Sequence, residues 1–527
     1  MRLLNLCWFW IPFFLFVVTV PIEPAWSHDP GPPGFPCSEG PFGVPGLTDP
    51  PSQIGQWGPV ASWPEQGTHM ALLHTGKVLW WRGTAVPTPT YLWDPITETL
   101  QQEDLDADIF CAGFSMLADG RVISFGGTPS TVGTDNTSIF NPASETWSRT
   151  SDMVNVRYYP TSTTLPDGRV IAMGGGADHQ EIFDPATNTW TELQGGLFDG
   201  GFYPRMFVTT TGLLLKAGQT AFTSTFNLGT ELWSNIAVAN FSLEGGTAMY
   251  RPDKILKVGG NDWPELESVS GVEVLDMGDA SPTWRLVQST AWPRRRPNIV
   301  MLPDGTALAV GGTVQGGNSP ECAVHAAELW DPGTETWTTL ASQAIPRVYH
   351  AAALLLPDGR VLSAGGENSH ISGGEANYEI FSPPYLFNGA RPVITSAPVS
   401  VDYNETFGVD TPDAASIASV VFIHPGAVTH NFDMNQRYVP LNFTVQAGHL
   451  DVTAPVDANL APPGQYMLFM VNNSGVPSVA EFVGMAAEPA TADPGSTAIP
   501  ALSIWGLLAL AAGLVSVAAR SLVPRRG

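Results

Sequence analysis

Three stretches of this chain place redox-active or metal-binding side chains at matching points of a repeat. Phe110, Cys111, Ala112, Gly113 and Phe114 run together and carry a thiol. Arg157, Tyr158, Tyr159 and Pro160 carry phenols. Arg347, Val348, Tyr349 and His350 set a phenol beside an imidazole. A fourth group, Thr429 and His430 with Asp433, Gln436 and Arg437 behind them, lies beyond the repeats. Two imidazoles with phenolate oxygens suit a tetragonal Cu(II) site better than zinc or calcium, whose preferences run to thiolates or to many carboxylates. Taken singly, a His or Tyr on a strand is more often a packed, hydrogen-bonded residue than a ligand.

Something must bring four distant stretches together, and the repeats supply it. An Asp-Gly turn recurs at Asp119-Gly120, Asp167-Gly168, Asp304-Gly305 and Asp358-Gly359. An apolar strand follows each and ends at Gly126-Gly127, Gly174-Gly175, Gly311-Gly312 and Gly365-Gly366. A second strand follows, of the type Ile182-Phe183-Asp184-Pro185, and then a tryptophan such as Trp147, Trp190 or Trp337. Counting weaker copies, about seven units recur at roughly the kelch spacing. Each unit is a small antiparallel sheet that cannot bury both faces alone, and radial stacking gives a seven-bladed kelch-type β-propeller over residues 53–389. The last unit lacks its closing Trp strand, and Gln56-Trp57 resembles that strand, so the N-terminus is expected to close the ring. The innermost strands of a propeller line its axis, where Cys111, Tyr159, Tyr349 and His350 would converge.

Residues 390–486 change character. Short alternating runs (Ser419 to Ile423, Leu450 to Ala454, Tyr466 to Val471) divided by turns such as Pro462-Pro463-Gly464 point to an immunoglobulin-like β-sandwich. The whole chain is therefore expected to be all-β, in keeping with 54 Gly, 47 Pro and only 14% charged residues. A net charge of −26 excludes nucleic acid as a partner, since phosphate binding needs clustered Lys and Arg.

The ends read as targeting segments. Residues 1–27 form an apolar run closed by Ala25-Trp26-Ser27, a signal peptide with its cleavage site. Residues 28–52 are a linker, and so are 487–498. Residues 499–527 run from Ile499-Pro500 through Trp505-Gly506 and an uncharged apolar stretch to Arg520, Arg525 and Arg526, which is long enough to cross a membrane once. This tail resembles bacterial C-terminal sorting tails, and the resemblance implies a bacterial envelope protein held at the membrane or processed near it. In that oxidising compartment Cys37 and Cys322 are a possible disulfide, which spacing alone does not establish, and Cys111 is left unpaired.

From about Gln53 to Met485 the chain resembles the galactose oxidase and glyoxal oxidase family of copper-radical oxidases. Phe110-Cys111 with Gly113, Ser115 and Met116 matches the family's cross-linked cysteine, and Arg157 with Tyr159-Pro160 matches its cross-linked tyrosine. Tyr349-His350 matches an axial tyrosine and a histidine ligand, and His430 the second histidine. The resemblance implies one copper ion held by Tyr159, Tyr349, His350 and His430, and a Cys111–Tyr159 thioether that carries a tyrosyl radical. Tyr349 would take a hydroxyl proton and Tyr159 a hydrogen atom from the adjacent carbon. Dioxygen would take the two electrons, giving H2O2. The implied partners are O2 and a small aldehyde or primary alcohol, with aldehydes reacting as hydrates.

Two departures argue against galactose itself. The family's tryptophan over the cross-link falls on Gly176, Ala177, Asp178 and His179, with no Trp, which leaves His179 or the pair Phe202-Tyr203 to cover the radical. The family's substrate-binding arginine is missing from the run Asn240 to Met249. The alternative is a non-catalytic kelch-repeat envelope protein that binds glycans or partner proteins. A metal-binding protein that never forms the cross-link is a third reading.

Overall fold

The computed structural model describes Cys37 and residues 49–485, except 129–132, 198–200, 242–243, 262–267 and 316. The signal peptide and the apolar tail therefore lie outside the described residues. Among the described residues no helix is long and apolar enough to cross a membrane.

The chain is all-β. Seven antiparallel sheets form the blades of a propeller, and a seven-stranded sheet follows. The sixth blade shows the common plan, with strands Asn298–Met301, Ala307–Val310, Ala326–Asp331 and Thr336–Ser342 in that order from the axis outward. The inner strands are buried along their whole length, for example Pro160–Thr164 and Ala351–Leu355. The outer strands alternate, as in Thr189–Glu192. Inner strands of neighbouring blades touch one another around the axis. Outer-strand tryptophans close the seams. Trp147 Nε1 donates to Thr90 Oγ1 of the previous blade, and Trp190 and Trp284 repeat the contact with Thr137 and Thr223.

The seventh blade takes its fourth strand from the N-terminus. Gln56 pairs with Ser382 and Trp57 with Phe381, so the ring is closed as the missing Trp strand implied. Trp57 then donates to Ala341 O of the sixth blade, which is the seam contact again. Cys37 is bonded to Cys322, settling the pairing that spacing left open, while Cys111 is free and buried.

Four blades share a buried ion pair that fixes the turn into an inner strand. Arg157 pairs with Glu181, Arg294 with Glu328 and Arg347 with Glu379; Lys257 with Glu273 is a variant. The arginine carbonyls are clamped as well. Gly127, Gly260 and Gly312 N–H donate to the carbonyls of Arg157, Arg294 and Arg347. The preceding glycines have no room for a side chain: a Cβ on Gly311, at φ +70°, would lie 2.6 Å from Arg347 O. The Gly-Gly of the repeat thus seats the Arg turn of the next blade.

The sandwich-like sheet runs Ser400–Val401, Glu481–Met485, Gly464–Asn472, Ile417–His424, Arg437–Gln446, His449–Thr453, Thr406–Asp410. It has its own core around Phe422, Val439, Leu450, Tyr466 and Leu468. Between two of its long strands the chain leaves this sheet as a hairpin, Ala427–Thr429 and Phe432–Asp433. The hairpin adds to the axial edge of the first blade, with His69 opposite Thr429 and Ala71 opposite Ala427. Its tip, His430 and Asn431, is thereby carried into the centre of the ring.

Candidate metal centre

Cys111, Tyr159, Tyr349, His350 and His430 reach one place on the axis, whereas Arg437 bonds Leu460 O and Asn459 O instead. Cys111, Tyr159 and His350 sit in the turns that lead into three inner strands, and His430 at the hairpin tip. All four have positive φ: 60°, 61°, 65° and 49°. Tyr203 at 44° and Arg296 at 59°, in the corresponding turns of two further blades, share the conformation. Non-glycine residues held in this region cost about 1–3 kcal/mol each and persist only where the surroundings over-determine them. Here backbone hydrogen bonds link one turn to the next. Tyr159 N–H donates to Cys111 O, Tyr203 N–H to Tyr159 O, and Arg296 N–H to Glu244 O. Cys111 N–H donates to His69 Nε2 at 3.0 Å.

The two phenol oxygens of Tyr159 and Tyr349 are 3.0 Å apart. Cys111 Sγ lies 3.5 Å from His430 Nε2. One donor atom each from Cys111, His350 and His430 fall within 4.8 Å of one another. The rings of His350 and His430 are 4.4 Å apart and nearly perpendicular, and Tyr349 stacks on His350 at 3.9 Å.

Both imidazoles are set in one tautomer by their neighbours. Thr429 Oγ1 donates to Thr68 O, so it receives Nδ1–H of His430, 2.7 Å away. His350 Nδ1 gives its proton to Glu367, 2.7 Å away. Each histidine then carries its lone pair on Nε2. The two share a further trait: burial depresses both pKa values, and the imidazoles stay neutral. His350 Nε2 is buried and has no hydrogen-bond partner among the described residues. A buried polar atom left so is costly unless something binds it, and a metal ion is what two neutral Nε2 atoms beside two phenol oxygens fit. Copper suits this donor set on softness and geometry. Burial pushes Tyr159, Tyr349 and the Cys111 thiol well above their ordinary values, so without a cation all three remain protonated.

Beside this cluster opens a small cavity of about 30 Å³, lined by Tyr159, Tyr349 and His430 together with Phe202, Tyr203, Gln219, Glu244, Arg296 and Asn431. The cover over Tyr159 is aromatic. Phe202 lies 5.4 Å and Tyr203 4.9 Å from it, ring to ring. His179 turns elsewhere, its Nδ1 to Leu193 O.

Several site residues escaped the sequence reading: His69, Tyr158, Glu244, Arg296 and Glu367. Arg296 could have been found. It stands two residues after Arg294, as Tyr159 does after Arg157, so the repeat's own offset aims it at the axis.

Both parts of the chain are similar to known proteins. Residues 260–385 match the family model of the glyoxal oxidase N-terminus, and residues 391–485 that of the galactose oxidase-like Early set domain. A galactose oxidase of Gibberella zeae is 29% identical over 496 residues, covering 84% of this chain and 72% of its own. The aldehyde oxidase GLOX of Vitis pseudoreticulata is 35% identical over 227 residues, 38% of this chain and 43% of its own. A solved structure described as a novel fungal alcohol oxidase of the AA5 family, in complex with copper, superposes with a TM-score of 0.75. It is 28% identical, and the match covers 82% of this chain and all of that one.

Proposed function

We propose that this chain, a relative of the galactose oxidases and glyoxal oxidases, is a copper-radical oxidase that oxidises a small aldehyde or primary alcohol and reduces O2 to H2O2. The observation that carries this reading is the meeting of Cys111, Tyr159, Tyr349, His350 and His430 at one buried point, with His350 Nε2 unpartnered. A glycan-binding propeller has no use for that set.

His350 and His430 would hold copper through Nε2, and Tyr159 and Tyr349 through their phenol oxygens. Bound copper supplies a one-electron redox centre that, paired with an oxidised Tyr159, makes a two-electron oxidant. Cys111 and Tyr159 join as a thioether. The S–H and one ring C–H are lost, the C–S bond forms, and O2 takes up the two hydrogens. The sulfur spreads the unpaired electron of an oxidised Tyr159 over a larger π-system. Tyr349, as phenolate, takes the hydroxyl proton of the alcohol or aldehyde hydrate. Tyr159 oxygen, 3.0 Å from Tyr349 oxygen, takes the hydrogen atom from the carbon. The hydrate leaves as a carboxylic acid, having lost two hydrogens, and O2 gains two to become H2O2. Secretion and a membrane tether, read from residues 1–27 and 499–527, belong to the same proposal. The disulfide between Cys37 and Cys322 suits an oxidising compartment.

The test is peptide mass spectrometry on copper-loaded, air-exposed protein. Cys111 and Tyr159 in one non-reducible species, two hydrogens lighter than the separate peptides, supports the radical oxidase. Both residues free, with copper bound and oxygen present, sinks it and returns the chain to the binding-module reading.

A further inference from the structure

We propose that Arg296, held in place by Glu244 and Arg295, makes this site selective for aldehydes whose reacting carbon is bonded directly to a carboxylate. The inference rests on the oxidase reading above and names its substrate class.

The guanidinium of Arg296 lies over the Tyr349 ring, 4.1 Å from the centroid, and lines the cavity beside both phenols. It is fixed there. Arg296 bonds Glu244 Oε1 through Nε and Nη2, while Arg295 takes Oε2. Glu244 itself is 3% exposed and receives a backbone bond from Arg296 N–H. Two guanidiniums and one carboxylate leave the cluster with one net positive charge. Burial works against the Glu244 carboxylate, but Arg296 and Arg295 outweigh it and hold the group ionised, so the count stands. A further cation stands behind the cavity wall: Arg205, fully buried, bonds Asn431 Oδ1 and His430 O.

The protein as a whole carries −26. A net positive cluster in the cavity wall is a local inversion of charge in so acidic a chain. Arg296 lines the cavity, and its Nη1 meets no acceptor among the described residues. Bound there, a carboxylate gains a charge-assisted hydrogen bond in a site of low dielectric. A neutral carbonyl of the same shape gains much less.

The experiment compares oxygen consumption by the copper-loaded full chain on glyoxylate and on methylglyoxal, which has a neutral acetyl group in place of the carboxylate. The wild type should prefer glyoxylate in kcat/KM by on the order of tenfold, chiefly through KM. Arg296→Met should remove the preference, and Arg296→Lys should keep most of it. If Arg296→Met fails to fold, Arg296→Gln keeps a bond to Glu244 and removes the charge. A preference for methylglyoxal in the wild type, or a ratio unmoved by loss of the charge, overturns the inference and leaves the oxidase reading intact. No oxygen consumption on either aldehyde overturns the inference, and absence of the Cys111–Tyr159 cross-link from the same copper-loaded protein overturns the oxidase reading as well.

Discussion

Tyr158 lies 4.1 Å from Tyr159, ring to ring and tilted by 55°, although the two are neighbours in sequence. Adjacent residues in a strand point to opposite faces. The positive φ of Tyr159 is what folds the two rings together. Phe202 meets Tyr158 edge-on at 5.6 Å, so the three rings form a continuous cover on the solvent side of the cluster. An aromatic contact of this kind is worth about 0.5–1.5 kcal/mol. Tyr158→Ala should open this cover and shorten the lifetime of the Tyr159 radical that the proposed oxidase would carry, while Tyr158→Phe retains most of it. The decay of the radical's visible absorption measures this, and equal decay in both variants would show that the ring plays no part.

The thiol of Cys111 is fully buried and sits between His430 and the Tyr159 turn. Cys111→Ala removes one small apolar atom from a packed site, so the fold should persist with copper still bound. The variant should lack the cross-linked peptide and its oxygen consumption should fall to background. Retained turnover in Cys111→Ala would show that the thioether is dispensable.

Beneath the site, the pair Arg157–Glu181 is fully buried on both sides, at 2.9 Å. Glu181 also accepts from the N–H groups of Val154 and Asn155, and Arg157 donates to Gly174 O and His179 O. Glu181→Gln would strand the guanidinium two residues from Tyr159. The loss should be about 3–5 kcal/mol, read as a fall in the denaturant midpoint. By contrast Asp119→Asn, which breaks the half-exposed pair with Arg121, should cost no more than about 1 kcal/mol.

The propeller was legible because its signals are local and repeated. The Asp-Gly turns, the Gly-Gly strand ends and the seam tryptophans each report a nearby constraint, and even the borrowed strand at Gln56-Trp57 left its mark. Cys111, Tyr159, Tyr349, His350 and His430 were legible because the repeat gave them matching offsets or a family motif. Glu244, Glu367, His69 and Tyr158 were not, since each is defined by a contact across blades or by a positive φ. Glu367 is one acid among 49 in the sequence, and only the fold places it on His350 Nδ1. The hairpin that delivers His430 was also hidden, because its pairing to His69–Leu72 joins residues more than 350 apart.

A buried histidine outside the site sets an acid limit on stability. His424 lies in the sandwich-like sheet, 5% exposed, with its ring edge-on to Tyr466 at 4.9 Å. Burial, with Arg437 nearby, lowers its pKa to about 4, against 6.5 for the free side chain. Between those values the unfolded chain binds a proton that the folded protein refuses, so stability rises with pH across this window. The contribution is fully present above pH 6.5 and is lost as pH falls toward 4, amounting to about 3 kcal/mol at the acid end. His424→Gln, neutral throughout, should flatten this part of the curve. Chemical denaturation of copper-free protein at pH 7, 6, 5 and 4.5 gives the slope, and an unchanged slope in the variant would assign the acid sensitivity to other groups.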